Sequence, residues 1–440
     1  MGKLPAIAIF DVGKTNKKIL VFDETLKLIY SHSAVLPETT DEDGFPCEDL
    51  RALTRWVGDS LHEASSSIDH EVTAINFSAY GATLVHIVED VEQMLPIYNY
   101  LKPYPEHLLE RFYAAYGGKE QFCLDTASPA LGSLNSGLQL YRIKHEQKER
   151  FNNIRYSLHL PQFLSFIFTG LTFSETTSIG CHTSLWDFRK NNYHHWIDRE
   201  SIRSKLPAIV TSDRSVTLEV SGLRQTIGVG LHDSTAALIP YMKKYEDDFV
   251  LLSTGTWNIS MNPFSTKGLT AGELQLDCLC YLNNLGKPVK AARLFAGHVH
   301  EESVKKMAEH FNKDFGYHDT VDYSEKIMTK LAVNPTVPFD PSKMLRLDFF
   351  NSNRDLNSFE TFEEAYHQLL IDIVSYQATS TTLVTEPTTR QLFVEGGFNK
   401  NKLFMKMLSA KFPNLKVMST EMPDASALGA AMVMGFPKPG

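Results

Sequence analysis

The sequence predicts an α/β protein built as two domains, and three observations carry that expectation. Short apolar runs alternate with segments of helical period along the whole chain. A hairpin around a small polar turn with Gly and Thr occurs twice, once in each half. Residues 6–10 and 19–22 flank the turn 11–18, and residues 249–252 and 257–261 flank Ser253-Thr254-Gly255-Thr256. A chain of 440 residues, 43% of them hydrophobic, can also fill more than one core. Asp247-Asp248 marks the boundary, so domains of 1–245 and 246–440 are expected.

The first strand leads into the turn that holds Gly13, Lys14, Thr15, Asn16 and Lys18. Glycine lets the backbone approach an anion, and hydroxyl and amide groups donate to phosphate oxygens. An ordinary hairpin turn with solvated lysines fits these residues equally well. A third strand covers 26–30. Residues 48–68 place Leu50, Leu53, Val57, Leu61, Ala64 and Ile68 on one face of a helix. The strand 72–77 ends in Ser78-Ala79-Tyr80-Gly81, and such strand ends line sites in open α/β sheets. Tyr80 serves as well as a packed aromatic. Residues 96–105, rich in Pro and Tyr, read as irregular, and 136–146 and 160–169 as helices. His194-His195 reads as a solvated or packed pair on a strand, where adjacent side chains diverge.

In the second half, Cys278 and Cys280 share one face of a strand. His298, His300, Glu301 and Glu302 start a helix and lack the i, i+4 histidine spacing of a zinc helix. Residues 312–358 are poorly patterned, with a polar loop at 348–355. A long helix (359–385), a strand (391–394), the turn Glu395-Gly396-Gly397, a helix (402–412), a strand (415–418) and a small-residue helix (424–434) complete the pattern.

A net charge of -9 and a pI near 6.0 argue against general binding to nucleic acid or a membrane surface. No apolar run approaches the ~20 residues of a membrane helix, and residues 1–10 enter a strand without a secretory leader pattern. Five poorly spaced cysteines make no zinc site and read as reduced thiols of a cytoplasmic protein.

The stretch GVGLHDSTAAL, 228–238, organises the rest. A glycine-broken apolar approach delivers His232-Asp233, and a short helix, 234–239, follows and stops near Pro240. Two readings fit Asp233. A short polar acceptor at a helix start caps orphan N–H groups. Beside turns suited to phosphate, the same carboxylate is a base that takes a proton from a hydroxyl. Two hairpins of the phosphate type, one per half, suggest duplicated domains facing one nucleotide.

Five stretches, in order, resemble the FGGY family of carbohydrate kinases, in the actin-like ATPase superfamily. DVGKTNKK at 11–18 resembles the first phosphate motif, and HDSTAA at 232–237 the segment with the catalytic Asp. LSTGTW at 252–257 resembles the second phosphate motif, EGGFNKNKLF at 395–404 the adenosine motif, and EMPDASALGAAMVMG at 421–435 the final helix. NFSAYGATLVHI at 76–87 and LPQFLSFIFTG at 160–170 are similar to the rhamnulose and fuculose (deoxy-ketose) kinase branch.

The resemblance implies two ribonuclease-H-like domains with an interdomain cleft, and Asp233 as the base toward a terminal hydroxyl of a ketose. It implies Gly13, Lys14, Thr15, Asn16, Lys18, Gly255 and Thr256 at the phosphates of ATP, and Gly396, Gly397 and Asn401 at adenosine. Ala79, Tyr80, Gly81, Asn135 and His232 would meet the sugar. Mg²⁺ would bridge the phosphates, with Asp11 as a water-mediated ligand. The implied partner is a small-molecule sugar, and the implied state a monomer or homodimer. The chain departs from the family at Lys14, where small residues are usual, and at Lys18, where Arg is usual. The acidic or Gln residue of the sugar strand is missing from 78–81, and Asn99-Tyr100-Leu101-Lys102 replaces an Arg-containing segment. Gly117-Gly118-Lys119 is followed by Glu120, so no P-loop occurs. A non-catalytic nucleotide- or sugar-binding relative and a pentulose kinase, such as one for xylulose, stay open as alternatives.

Overall fold

The computed structural model describes residues 3–89, 95–220, 222–333, 355–420 and 422–436. Residues 348–354 of the expected polar loop, and Glu421 of the last motif, lie outside them. The chain divides into two compact units. The first takes 1–245, 280–288 and 424–440, and the second takes 246–279 and 289–423. Residues 280–288 and 424–440, on the C-terminal side of the expected cut, therefore pack with the first unit.

The first unit is built on β1 (Leu4–Val12), β2 (Lys17–Asp23), β3 (Leu28–Ala34), β4 (His70–Ala79), β5 (Ser215–Val220), β6 (Leu223–Gly228) and β7 (Leu231–His232). The order is β5-β6-β4-β1-β2-β3, and β7 pairs with β4. β1, β6 and β7 run parallel to β4, whereas β2 and β3 turn back antiparallel. The apolar runs of β1 and β2 are continuous because both faces of the sheet are covered. Phe10 and Phe77 share one core with Leu53 and Val57 of the helix Leu50–Ser67 and with Phe163 and Leu164. Ile7, Ile9, Leu20 and Phe22 share the opposite core with Ala236, Ile239 and Ala427, Ala430 and Ala431 of the last helix, Ala425–Val433.

Three local expectations for this unit are corrected. The helix after His232 does not stop at Pro240; it runs from Asp233 to Lys244. Proline carries no N–H for the carbonyl four residues back, which here is Ala236. Gly429 of the last helix lies against that carbonyl so closely that a Cβ would come within 1.9 Å of the oxygen. Helix-on-helix packing thus covers the place where proline interrupts the ladder. Asp233 is the first helical residue, and the extended His232 occupies the cap position without a side-chain capping bond. His194 and His195 stand before the short helix Trp196–Arg199, not on a strand, and their rings approach to 4.4 Å, with His194 4.7 Å from Phe122.

The second sheet, which lies in the second unit except for residues 280–282 and 288, is built on β8 (Phe249–Thr254), β9 (Asn258–Asn262), β10 (Cys278–Leu282), β11 (Pro288–Leu294), β12 (Gln391–Gly396) and β13 (Lys416–Ser419), in the order β10-β11-β9-β8-β12-β13. β8, β12 and β13 are parallel, and β9 is antiparallel to β8 and β11. Leaving β10 aside, the order repeats that of the first unit: β11-β9-β8-β12-β13 matches β3-β2-β1-β4-β6. The helix Phe362–Val384 contributes Tyr366, Leu370, Ile373 and Val374 to one core with Val250, Leu252, Leu392 and Val394. The poorly patterned 312–358 contains a helix, Glu325–Val333, that the sequence pattern hid because only Leu331 of it is fully buried.

Candidate active site

The first unit gathers its candidates at the C-terminal ends of parallel strands. Asp11 of β1 and Leu231 of β7 both pair with Ser78 of β4, and Val12 and His232 both pair with Ala79. That register brings Asp11, the turn after it, Tyr80-Gly81 and His232-Asp233 to one sheet end, where open α/β sheets bind ligands. β7 is only two residues long and is steered there by buried amides. Asn76 donates from Nδ2 to the Ala430 carbonyl (2.8 Å) and accepts the Gly230 N–H at Oδ1 (3.1 Å). Gln162 Nε2 donates to the Gly230 carbonyl (2.9 Å). The His232 N–H donates to Thr177 Oγ1 (3.0 Å), whose hydroxyl donates to the buried Glu175 (2.7 Å).

Asp233 is held by one oxygen. Oδ1 accepts the Ser234 N–H at 2.6 Å and the Ser234 hydroxyl at 3.2 Å, and lies 3.2 Å from His232 Nε2. Oδ2 takes no hydrogen bond among the described residues. Burial raises the Asp233 carboxyl to about 6 against the pull of the Ser234 bonds. Burial also lowers His232 to about 4, so its imidazole is neutral near pH 7. Asp11 accepts the Ser426 hydroxyl at Oδ2 (2.8 Å) and is raised to about 6, first by burial and further by the charge of Asp233. A carboxylate ionised only above about pH 6, with one oxygen free, is suited to accept a proton near neutrality.

Other candidates land differently. The Gly13 N–H closes its own turn on the Asn16 carbonyl (2.9 Å), while Thr15 and Asn16 are exposed. Lys14 points its ammonium at Glu38 (2.8 Å) and Glu48 (3.6 Å), and Lys18 reaches Asp424 (3.0 Å). Tyr80 donates its hydroxyl to Glu48 (2.8 Å), which Lys17 also pairs (3.2 Å), and its ring meets Tyr100 edge-on at 6.1 Å. Ala79 is fully buried in β4. Asn135 is held by the protein itself. It is wholly enclosed, its Nδ2 donates to Ser128 Oγ and to the His182 carbonyl, and its Oδ1 accepts the Leu131 N–H. Both of its donors are engaged inside the protein, so it braces loops and has none left for a sugar.

Sequence reasoning missed Cys181, Glu48 and Tyr281. Tyr281 brings its ring 5.9 Å from that of His232, and its buried hydroxyl has no partner among the described residues. No local pattern signals this, because residues 280–288 join the first unit only through tertiary packing.

The second unit carries a cavity of about 600 Å³. Thr254, Gly255, Thr256, Gly297, Gly397 and Asn401 line it, together with His300, Phe398, Lys400 and Lys402. Gly396 shapes it from behind: φ is 85°, and a Cβ there would fall 1.9 Å from the Thr254 carbonyl oxygen. Thr254 clamps this turn, its hydroxyl donating to the Glu395 carbonyl and accepting the Phe398 N–H (3.0 Å). Asn401 caps the helix Lys402–Lys411 through Oδ1 (2.9 Å to the Phe404 N–H) and donates from Nδ2 to the Tyr366 hydroxyl (2.7 Å). His300 meets the same hydroxyl at 3.0 Å. Among the described residues no group of three or more His, Cys, Asp or Glu is arranged to hold a metal. No helix among them is long and apolar enough to cross a membrane.

Two family models match the chain. The model for the N-terminal domain of the FGGY family of carbohydrate kinases covers residues 6–239, and that for the C-terminal domain of carbohydrate kinase FGGY covers 246–439. No curated protein matches. Solved structures similar in fold include a carbohydrate kinase from Novosphingobium aromaticivorans, at 23% identity and a TM-score of 0.82 over 99% of this chain and 92% of that one. A ligand-bound xylulose kinase from Lactobacillus acidophilus has 16% identity and a TM-score of 0.77, over 98% and 89%. Plasmodium falciparum glycerol kinase with ADP has 18% identity and a TM-score of 0.75, over 99% and 90%.

Proposed function

This chain belongs to the FGGY family of carbohydrate kinases and is a phosphotransferase; from that premise we propose that it transfers the γ-phosphoryl group of ATP to a terminal hydroxyl of a ketose, with Asp233 as general base. One observation carries the assignment of the base: every bond that holds the Asp233 carboxylate falls on Oδ1, and Oδ2 is open. The sugar hydroxyl gives its proton to Oδ2 as its oxygen attacks phosphorus. A carboxyl raised to about 6 is ionised at neutral pH yet binds a proton more readily than an ordinary aspartate.

The cavity of the second unit suits a nucleotide in size, and its lining mixes the glycines and threonines of the turns with Lys400 and Lys402 and with Glu301, Asp319 and Asp322. Gly255 and Thr256 face the phosphates, and Gly396, Gly397 and Asn401 the adenosine. In the first unit Thr15 and Asn16 offer exposed donors to phosphate oxygens, while the ammonium of Lys14, expected at the same phosphates, is paired with two carboxylates. Asp11 fits Mg²⁺, because a hard oxygen ligand with a burial-raised carboxyl gains from a divalent cation. Mg²⁺ would neutralise charge on the phosphates.

For the sugar, a 6-deoxy ketohexose such as rhamnulose or fuculose, phosphorylated at C1, is the first choice. The Tyr80 hydroxyl is tied to Glu48, so Tyr80 and Tyr100 together offer an aromatic wall for a methyl group. One methyl contributes only about 1–3 kcal/mol, so pentuloses should also turn over, less efficiently. Coupled ADP release with rhamnulose, fuculose, xylulose and glycerol tests this reading. Higher efficiency on a pentulose or glycerol would move the substrate and leave the base in place; no turnover of any ketose would overturn the reading.

A further inference from the structure

We propose that Cys181 is a positioning residue for the phosphoryl transfer, its thiol fixing the His232 imidazole so that His232 in turn holds Oδ1 of Asp233. The inference rests on Asp233 as the base. Cys181 and His232 are both buried, and Cys181 Sγ lies 3.1 Å from His232 Nε2, the same nitrogen that lies 3.2 Å from Asp233 Oδ1. A neutral imidazole carries one N–H. His232 Nδ1 is enclosed and has no partner among the described residues, whereas Nε2 faces two acceptors. The proton therefore belongs on Nε2, shared between the carboxylate oxygen and the sulfur. A proton on Nδ1 would leave an N–H without an acceptor and set a bare Nε2 lone pair against a carboxylate.

The sulfur also fixes the ring itself. A half-turn about Cβ–Cγ would put Cε1 where Nε2 now stands, and both acceptors would lose their donor. Gly81 leaves room for the pair, since a Cβ at that position would sit 3.1 Å from His232 Nε2 and 3.3 Å from Cys181 Sγ. The result is a division of labour within one carboxylate. Ser234 and His232 hold Oδ1, and Oδ2 is aimed at the incoming hydroxyl. Cys181 touches neither substrate nor base in this scheme and acts only through the imidazole.

The test pairs kinetics with a spectrum. Cys181→Ala should lower kcat about 10-fold with the sugar KM nearly unchanged, the size of one lost net hydrogen bond. Cys181→Ser, whose hydroxyl also accepts from Nε2–H, should recover most of that loss. Nitrogen-15 NMR of the histidines should show His232 as a single Nε2–H tautomer in the wild type and as a mixture in the alanine variant. Wild-type kcat in Cys181→Ala, or a loss confined to KM that serine does not restore, would overturn the proposal. If the alanine variant does not fold, the wild-type spectrum decides, since an Nδ1–H His232 contradicts the arrangement. If no sugar is phosphorylated, the kinase reading fails on its own, while the tautomer still reports on the thiol–imidazole contact.

Discussion

Two turns occupy the same place in two sheets of the same strand order, and they carry different chemistry. In the first unit β1 runs out through Asp11-Val12-Gly13, and in the second β8 runs out through Ser253-Thr254-Gly255. Each glycine N–H closes its own turn, Gly13 on Asn16 and Gly255 on Trp257 (3.1 Å). Around the first turn stand two carboxyls, Asp11 and Asp233, both raised to about 6. The strand-end position of Asp11 is a serine in the second unit, and that turn borders a cavity of about 600 Å³ lined also by His300, Phe398, Lys400 and Lys402. The fold sets where strand ends gather; on the proposed reading, the side chains placed there decide between proton transfer and a cradle for an anion.

The sharpest way to break this comparison is Asp233→Asn. If the acid–base chemistry resides in the first unit, kcat falls about 10²–10⁴-fold while nucleotide affinity is kept. In the wild type kcat/KM should fall as pH drops through about 6, because protonated Asp233 is no base. The stability effect runs the other way. A carboxyl whose folded pKa lies above its unfolded value of 3.8 binds its proton more tightly when folded, so stability is lost as pH rises from about 4 to about 6. Asp233→Asn removes that loss, and thermal unfolding at pH 7.5 should show a higher midpoint than wild type. A variant with full turnover would return Asp233 to a structural role.

Next in size is Gly396→Ala in the second unit. Positive φ alone costs about 1–3 kcal/mol, and the contact with the Thr254 carbonyl adds to it. Calorimetry should show weaker ATP binding, with sugar binding retained; loss of sugar and nucleotide affinity together would contradict the separation of roles. Asn135→Ala should cost about 1–3 kcal/mol of stability by leaving buried partners unpaired, with the sugar KM of the folded enzyme unchanged. A rise in KM without a change in unfolding midpoint would restore Asn135 as a ligand. The smallest effect is expected from Lys14→Met: a change of only a few-fold in the KM for ATP, since its ammonium is paired with Glu38 and Glu48. A loss of ten-fold or more would put Lys14 on the phosphate.

Much of this comparison could be read from the sequence, because it rests on local signals. Continuous apolar runs marked β1, β2, β8 and β12, and the two Gly-Thr turns fell where expected. The helices Ser136–Glu146 and Leu160–Thr169 follow their apolar period closely. What escaped depends on distant partners. Pro240 read as a stop, since nothing nearby shows that Gly429 covers the Ala236 carbonyl. Asn135 read as a ligand because a polar residue at a helix start looks available until its three partners come in from 128, 131 and 182. Tyr281 and Cys181 carried no signal, because their place beside His232 depends on chain segments 49 and 51 residues away meeting in space.

The last helix bears on biogenesis. Ser426 bonds Asp11, Asp424 pairs with Lys18, and the Ala430 carbonyl receives Asn76, so a segment made later completes the surroundings of a sheet made earlier. A nascent chain that has emerged only to residue 245 can set Ala236 and Ile239 against the row of Ile7, Ile9, Leu20 and Phe22, but still lacks Ala427, Ala430 and Ala431. The second unit, drawn almost wholly from 246–423, has its own core in hand before that row is sealed. The first unit therefore completes its core only after the segments of the second have been made, and until then its sheet needs protection from aggregation.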